Sequence, residues 1–556
     1  MSERILAVIP ARGDSKGVRR KNLRLLNGRP LLYYVLHTAL NSRRITDIVL
    51  TSEDEDILAY AAQFGILLRR RPPALAEDDV PLAPVVRDAL AWATEQRGPY
   101  SAVVRLQPTC PLLRSETLDR AIDTFLAQGV DTLLAATDAT HLMWREQDGQ
   151  PVPDYPARVN RQQLPRRYRE SGAFFITRPE WVQAGDGIGP RISIMELPED
   201  EGLDIDTPTD WLVAEALMRK LRIAIVTAAN ASLGMGHLYR MLTIADALLG
   251  HDITFVAVDT DARHLALIQE HGYTLVEATS GEILDRLAAL QPSLIINDIL
   301  DTSTDYVRRQ RQLGAFVVNF EDLGGGADEA HLVFNALYEN SHPKETHRFG
   351  HAYFCLPGHF TYVPPAEFRD PPQVLLIAFG GVDQNNLTCQ VLGVLPRVLD
   401  EVPLARVDVV VGPGYAHDAE LAQALAGLPR AVAERVQVQR SVRNMAKVMR
   451  QADVAVTSNG RTVYELAAMG VPTISISQND RETLHLFSRY NKGVRYLGMA
   501  SPRTPEMAQA ALVGILTQPD LRRAMREALL ETDLRGGLNR VVGEIQSEYW
   551  RWKNAR

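Results

Sequence analysis

An alternation that recurs along almost the whole chain constrains its fold more than any other feature. Short apolar runs closed by turn residues, "RILAVIPA", "DIVLTS", "AVVRLQPT" and "TLLAAT", alternate with helix-like stretches such as "LLYYVLHTALNS" and "SETLDRAIDTFLAQ". A strand that is apolar throughout must be covered on both faces, and an intervening helix supplies that cover. The pattern therefore predicts a parallel sheet with crossover helices. It continues to about Asp206, after which "TPTDWLVAEALMRK" reads as a closing helix with Thr or Asp caps, and "LRIAIVTAA" starts a new strand. This puts a boundary near residue 220. Two further blocks follow, four candidate strands each ("RIAIVTAA", "DITFVAVDT", "LIIND", "AFVVNF", then "VLLIAFGG", "VDVVVGP", "VAVTS", "TISISQ"), on either side of the Pro-rich "YVPPAEFRDPPQ". The expected architecture is α/β in three parts: a Rossmann-like domain at residues 1–218, then two Rossmann-like lobes at 221–362 and 372–556 with a cleft between them.

The bulk numbers agree with folded, water-facing domains. At 556 residues the chain is too long for one core, and its 46% hydrophobic and 23% charged content is ordinary for globular proteins. A net charge of -8 argues against a nucleic-acid partner, which would call for a basic surplus. Cys110, Cys355 and Cys389 are few and widely spaced, giving neither a disulfide framework nor a zinc knuckle. The apolar run near the first residue is too short for a signal-peptide core or a membrane span. These features together predict a cytoplasmic protein with no membrane association.

The stretch "IPARGDSKGVRRKN", residues 9–22, gathers Arg12, Lys16, Arg19, Arg20 and Lys21 around Gly13 and Gly17 at the end of the first strand. Glycine lets backbone amides face a ligand, and the cations match several phosphate charges, which suits a triphosphate. A solvated basic turn is the competing reading. The Walker order G-x-x-x-x-G-K-[ST] is absent. In "GLDIDTPTD", residues 202–210, Asp204 and Asp206 are two apart, so on a strand they point to one face and can hold a hard cation such as Mg²⁺. Taken alone, such a pair equally fits a capped loop before a helix.

With "LQPTCPLL" at 106–113 and "RQQLPRRYRESGAFFIT" at 161–177, these stretches resemble the CMP-sialic acid synthetase family of cytidylyltransferases over residues 3–218. The resemblance implies that Arg12, Gly13, Ser15, Lys21 and Asn22 hold CTP, with Lys21 stabilising charge on the α-phosphate. It implies that Gln107, Arg161 and Gln163 address a sugar acid, that Asp204 and Asp206 bind Mg²⁺, and that a homodimer closes the sugar pocket. The implied reaction is attack by the anomeric hydroxyl of a 2-keto-3-deoxy sugar acid on the α-phosphorus of CTP, displacing pyrophosphate. Arg19 stands where proline is common in that family, and Ser171 where asparagine is.

A second glycine-bearing loop, "ASLGMGHLYR" at 231–240, admits three readings. As a dinucleotide fingerprint, with Asp259 as its acidic partner, it lacks the third glycine, whose place Tyr239 takes. As a plain turn, His237 is inert. As a catalytic loop, it presents His237 at a cleft edge, where imidazole titrates near neutral pH, with Arg240 as structural support. In the far lobe, "SNGRTVYELAAMGVPTISI" at 458–476 is a strand, a glycine turn and a helix opening near Thr462, whose amino end suits a diphosphate. Glu465 can accept from ribose hydroxyls there, and "AFGGVDQNNLT" at 378–388 faces the same cleft.

This second pattern resembles the nucleotide-sugar hydrolase of pseudaminic acid biosynthesis, of GT-B fold, over residues 221–500. The resemblance implies that His237 activates water to expel UDP with inversion, and that Gly460, Arg461, Thr462 and Glu465 bind the UDP. Arg461 replaces a serine of that family's turn, "QND" at 478–480 replaces "ENQ", and "NFEDLGGG" stands where a double aspartate is common. The combined expectation is a bifunctional enzyme of nonulosonic acid biosynthesis. One half frees a diacetamido-trideoxyhexose from UDP, and the other activates the later nine-carbon acid with CTP. No domain for the intervening condensation with phosphoenolpyruvate is visible, so a separate synthase is the expected pathway partner. The alternatives for the second half are a true glycosyltransferase and a non-catalytic nucleotide-sugar sensor.

Overall fold

The computed structural model describes residues 3–13, 17–77, 79–228, 236–440 and 442–556, and its contacts divide the chain into two units, Met1–Lys220 and Leu221–Arg556. In the first unit, strands β1 (Ile5–Pro10), β2 (Asp47–Ser52), β3 (Leu67–Arg70), β4 (Ala102–Arg105), β5 (Thr132–Asp138), β6 (Tyr168–Thr177) and β7 (Ile192–Glu196) form one sheet in the order β7-β5-β6-β4-β1-β2-β3. The apolar β1 lies in its middle and is buried on both faces. Helices α1 (Leu31–Asn41) and α3 (Ser115–Gln128) cover one face through Leu32, Leu36, Ile122 and Phe125, and α2 (Leu82–Arg97) covers the other through Val86 and Leu90.

The sheet is not wholly parallel. β6 runs antiparallel to both β4 and β5, because no crossover helix separates β5 from β6; the chain makes a small hairpin, Trp144–Gln147 against Gln150–Pro153, and turns straight back. A register shift between Glu170 and Phe175 places Ser171 and Gly172 in the irregular part of β6. The unit closes with α4 (Pro208–Met218), whose start is fixed by a reciprocal cap: Thr207 Oγ1 accepts from Asp210 N, and the Asp210 carboxylate accepts from Thr207 N at 2.8 Å.

The second unit holds two parallel sheets. The first lobe contains β8 (Arg222–Ala228), β9 (Asp252–Val258), β10 (Thr274–Ala278), β11 (Leu294–Asp298), β12 (Phe316–Phe320), β13 (Leu332–Asn335) and β14 (His347–Phe349), ordered β10-β9-β8-β11-β12-β13-β14, with α5 (Gly236–Ala247) packed on β8. The second lobe contains β15 (Val374–Ala378), β16 (Arg406–Val411), β17 (Val436–Arg440), β18 (Val454–Ser458), β19 (Thr473–Ser477) and β20 (Val494–Met499), ordered β17-β16-β15-β18-β19-β20, with α6 (Arg461–Ala468) following β18. The sequence pattern gives four strands per lobe. The additional ones are outer strands such as "TLVEA", "HRF" and "VQVQR", half-polar because only part of each is covered.

The last helix, α7 (Gly537–Asn554), crosses back: Val541, Ile545 and Tyr549 join Phe316, Val318 and Leu332 in the core of the first lobe. Residues 537–554, counted with the second lobe on sequence, therefore pack with the first. Two doubly wound lobes joined by a Pro-rich segment and a returning carboxyl-terminal helix form the GT-B arrangement. Among the described residues, no helix is long and apolar enough to cross a membrane.

Candidate active sites

In the first unit, β1 delivers the chain into the basic loop, of which Ser15 and Lys16 lie outside the described residues. The loop is tight. A Cβ on Gly13 would fall 2.4 Å from Asp54 Oδ2, and one on Gly17 would fall 1.9 Å from the carbonyl oxygen of Asp206, so glycine is required at both positions by close approach. Gly13 N–H donates to Glu53 Oε1 at 2.7 Å, and Asn22 Nδ2 donates to the Arg12 carbonyl at 2.8 Å, which ties Arg12 to Asn22. Arg20, in the left-handed region (φ 51), pairs with Asp56 at 2.6 Å. Lys21 turns inward: it is buried, and its Nζ donates to the Ile205 carbonyl at 2.6 Å and to Asp206 Oδ1 at 3.2 Å. The basic loop and the aspartate loop thus meet at one amine.

Asp204 and Asp206 do not share a strand face. Residues 203–206 are irregular, because the cap of α4 draws the Asp206 and Thr207 amides onto Asp210. Asp206 is exposed beside Lys21, whereas Asp204 lies with Gln107 under β6: a Cβ on Gly172 would be 2.8 Å from Asp204 Oδ2 and 3.1 Å from Gln107 Cδ. Asp204 Oδ1 is buried without a hydrogen-bond partner among the described residues. An orphaned carboxylate oxygen of this kind fits a hard cation. Arg161 and Gln163 sit on an exposed turn, and Arg161 is held to Asp138 at the end of β5 (3.3 Å), so the sugar-acid residues expected from sequence divide into two places.

In the second unit the geometry is built around Asp298, the last residue of β11, which is fully buried. His237, at the start of α5, places Nδ1 2.6 Å from Asp298 Oδ1. Arg240, one turn on, donates to Asp298 through Nε and Nη2, each at 2.7 Å, and reaches Glu321 Oε1 through Nη1 at 3.2 Å. Burial alone would raise the Asp298 pKa, but Arg240 and His237 outweigh it and hold the carboxylate down at about 2. Burial keeps Glu321 above the usual carboxylate range. An ionised Asp298 can only accept, which assigns the Nδ1 proton to His237 and leaves Nε2 as the basic nitrogen. Residues 231–235 of the glycine loop lie outside the described residues.

Across the cleft, Asn459 fixes the turn after β18. Its Nδ2 donates to the carbonyls of Glu482 (2.6 Å) and His485 (3.1 Å), and its Oδ1 accepts from Ser475 and Ser488. Gly460 then caps α6, and Arg461 extends toward the first lobe. Its guanidinium lies 4.6 Å over the Phe354 ring, Nη2 donates to the Cys355 carbonyl at 3.0 Å, and Nη1 is buried with no hydrogen-bond partner among the described residues. A Cβ on Gly236 would be 3.2 Å from Arg461 Cδ, so Arg461 abuts the helix that carries His237. Thr462 Oγ1 is 3.9 Å from the Cβ position of Gly380, whose φ of 80 also favours glycine. Burial raises the pKa of Glu465, one turn into α6, and Arg461 opposes the rise. Arg481 ties the two lobes, donating to both oxygens of Asp301 at 3.0 Å, to Tyr338 Oη at 2.8 Å and to the Glu321 carbonyl at 2.7 Å.

The cytidylyltransferase family model matches residues 6–174. Pseudaminic acid cytidylyltransferase of Campylobacter jejuni is 32% identical over 222 residues, 38% of this chain and 96% of that one. The chain belongs to the cytidylyltransferase family. An uncharacterized protein of Methanocaldococcus jannaschii is 28% identical over 279 residues, 47% of this chain, and the chain spans 56% of that protein's length. Among solved structures, MurG of Acinetobacter baumannii covers 59% of this chain and 99% of its own at 18% identity, with a TM-score of 0.45.

Some of the groups that shape these sites were not singled out on sequence. In the cytidylyltransferase unit, Arg71 is buried beneath the loop, and its Nη2 donates to the Thr51 carbonyl at 3.0 Å, where burial lowers its pKa. In the second unit, Asp298 and Glu321 hold the His237 helix and Arg481 clamps the lobes. The available signal was positional: an ionisable residue that closes an apolar run, as in "LIIND", sits at the carboxyl end of a buried strand, where open α/β sheets bind ligands.

Proposed function

We propose that this cytidylyltransferase-family chain is a bifunctional enzyme of nonulosonic acid biosynthesis. Its first unit makes a CMP-activated 2-keto-3-deoxy sugar acid from CTP, and its second hydrolyses a UDP-linked diacetamido-trideoxyhexose. The reading of the second unit rests above all on one juxtaposition: a His237–Asp298 pair lying beside Arg461, whose Nη1 is buried without a partner among the described residues at the start of a helix.

In the first unit, Lys21 would stabilise charge on the α-phosphate, with Arg12, Gly13, Ser15 and Asn22 as the other CTP residues. The anomeric hydroxyl oxygen of the acid bonds to the α-phosphorus as the bond to the bridging oxygen breaks, and pyrophosphate leaves with the electron pair. Asp204 and Asp206 would hold Mg²⁺, which would neutralise phosphate charge when bound. Gln107 would orient the acid. Arg161 and Gln163, exposed on their turn, suit a pocket completed by a second subunit, and the exposed Ile192 and Ile194 of edge strand β7 suit a homodimer.

In the second unit, His237 Nε2 takes a proton from water as the water oxygen bonds to the anomeric carbon. The bond from that carbon to the phosphate oxygen breaks with inversion, and UDP leaves carrying the electron pair. The amino end of α6, Thr462 and Arg461 would receive the developing diphosphate charge, and Glu465 the ribose hydroxyls. A cytoplasmic setting and a separate synthase that adds the three-carbon unit between the two steps belong to the same reading.

Two variants test it. Lys21→Ala should lower pyrophosphate release from CTP plus sugar acid by about 10²-fold or more while sparing UDP release, and His237→Ala should do the reverse. UDP release that requires an added acceptor would make the second unit a glycosyltransferase. Retained CTP turnover after Asp204→Ala and Asp206→Ala together would remove the proposed metal site.

A further inference from the structure

The second unit holds a cavity of about 600 Å³ that none of the chemistry above uses. Part of its lining comes from the segment joining the lobes, between Tyr362 and Arg369. The rest comes from the short helix Met445–Met449, through Lys447, and from Arg450 and Gln451 just after it. Arg369 Nε donates to Asp453 Oδ1 at 2.8 Å, and Asp453 Oδ2 accepts from Val374 N, the first amide of β15, at 2.9 Å. Asp453 is also the residue before β18. The cavity therefore lies at the amino ends of the two central strands of the second lobe. The turns at Gly380 and Gly460 follow the carboxyl ends of the same strands, where open α/β sheets take their usual ligands.

Three cations and one carboxylate line this space, in a chain whose net charge is -8. The carboxylate neutralises little of that charge. Glu367 has a side chain 84% exposed and meets Arg450 at 3.5 Å, a distance and a setting in which an ion pair is weak. Among the described residues Lys447 commits only its backbone amide, which donates to Asn444 Oδ1 at 3.2 Å, so its ammonium is left for a ligand. Arg369 is fixed in place by Asp453 and by the Gln451 carbonyl. The opposite character comes from Tyr362, Val363 and Pro364. Arg535 pins the backbone on both sides of Tyr362, donating to the Thr361 carbonyl at 3.1 Å and the Val363 carbonyl at 3.3 Å, while the tyrosine itself stays 70% exposed. A held aromatic ring and a surplus of cations around one cavity match a ligand with a planar ring and a phosphate, and the volume lies within the range of small-molecule sites.

We propose that this cavity binds a nucleoside monophosphate, separately from both active sites, with Lys447 and Arg450 taking the phosphate and Tyr362 the base.

Hydrogen exchange of the full chain tests it, read locally at residues 360–369 and 445–451, with CMP, cytidine or inorganic phosphate as the added probe. CMP should slow exchange in both segments, inorganic phosphate should need a higher concentration, and cytidine should have no effect. Replacing Lys447 and Arg450 together by alanine should raise the CMP concentration for half-maximal protection about 10-fold or more, and Tyr362→Ala should raise it about threefold. Thermal melting and CTP-dependent pyrophosphate release, unchanged in these variants, show that each is folded. Absence of protection by CMP, protection by cytidine equal to that by CMP, or wild-type protection in the double variant would overturn the site. Inorganic phosphate acting at the same concentrations as CMP would overturn it as a nucleotide site.

Discussion

Replacing Asp298 by asparagine should separate the stability of the His237 helix from its chemistry. Asp298 is fully buried and takes three short contacts, one from His237 at 2.6 Å and two from Arg240 at 2.7 Å. Hydrogen bonds to charged groups contribute about 1.5–3 kcal/mol each, and removing one partner of a buried ion pair costs about 3–5 kcal/mol. Asparagine keeps one oxygen acceptor but turns an amide donor toward a guanidinium or an imidazole N–H. Glu321 still faces Arg240 at 3.2 Å and compensates part of its charge. The expected loss of stability is therefore near the lower bound, about 3 kcal/mol, which lowers the melting temperature of the second unit by roughly 5–10 °C. Turnover should suffer more, because His237 is no longer held with its proton on Nδ1, and a misdirected imidazole lowers kcat by about 10²- to 10⁴-fold. Continuous UDP release without acceptor reads the catalytic loss, and differential scanning calorimetry reads the stability. CTP-dependent pyrophosphate release by the same preparation is the internal control. UDP release by Asp298→Asn within threefold of wild type would refute the role given to the His237–Asp298 pair.

Three further expectations follow from individual contacts. Lys21→Ala should lower CTP turnover by about 10²-fold or more, since a preorganised cation at developing phosphate charge is lost, and pyrophosphate release measures it. Gly17→Ala should lower kcat/KM for CTP at least about 10-fold while leaving UDP release unchanged, because the new Cβ would lie 1.9 Å from the Asp206 carbonyl oxygen and the loop must shift. His485 is buried with Nδ1 2.7 Å from the Asn459 carbonyl, and burial lowers its pKa from 6.5 to about 4. The unfolded chain therefore binds a proton that the folded chain refuses between these values. Its contribution is present above pH 6.5 and is lost as the pH falls toward 4, about 3 kcal/mol in all, and urea midpoints measured across that range should flatten in His485→Gln.

Much of the fold was legible because the strands that carry it are buried on both faces. "DIVLTS" and "SETLDRAIDTFLAQ" coincide with a strand and a helix, and their apolar residues leave no other way to be covered. The outer strands were less legible: half-covered segments such as "VQVQR" carry no continuous apolar signal. The antiparallel β6 was hidden for a different reason, since strand direction depends on the connection and not on the strand's own residues. Site residues followed the same division. Lys21, Asp206 and Gly17 meet within two loops whose glycines and charges are visible in sequence. The separation of Asp204 from Asp206 depends on the cap of α4, and the part played by Asp298 depends on which strand lies under His237 in space.

A single phosphorus-31 time course tests the central proposal most directly. The wild-type chain, with CTP, Mg²⁺, a nonulosonic acid and the UDP-linked diacetamido-trideoxyhexose in one tube, should convert CTP into pyrophosphate and a CMP phosphodiester while UDP appears independently. Omitting either substrate pair should silence only its own signals. Pyrophosphate without any acceptor-free UDP would contradict the bifunctional reading.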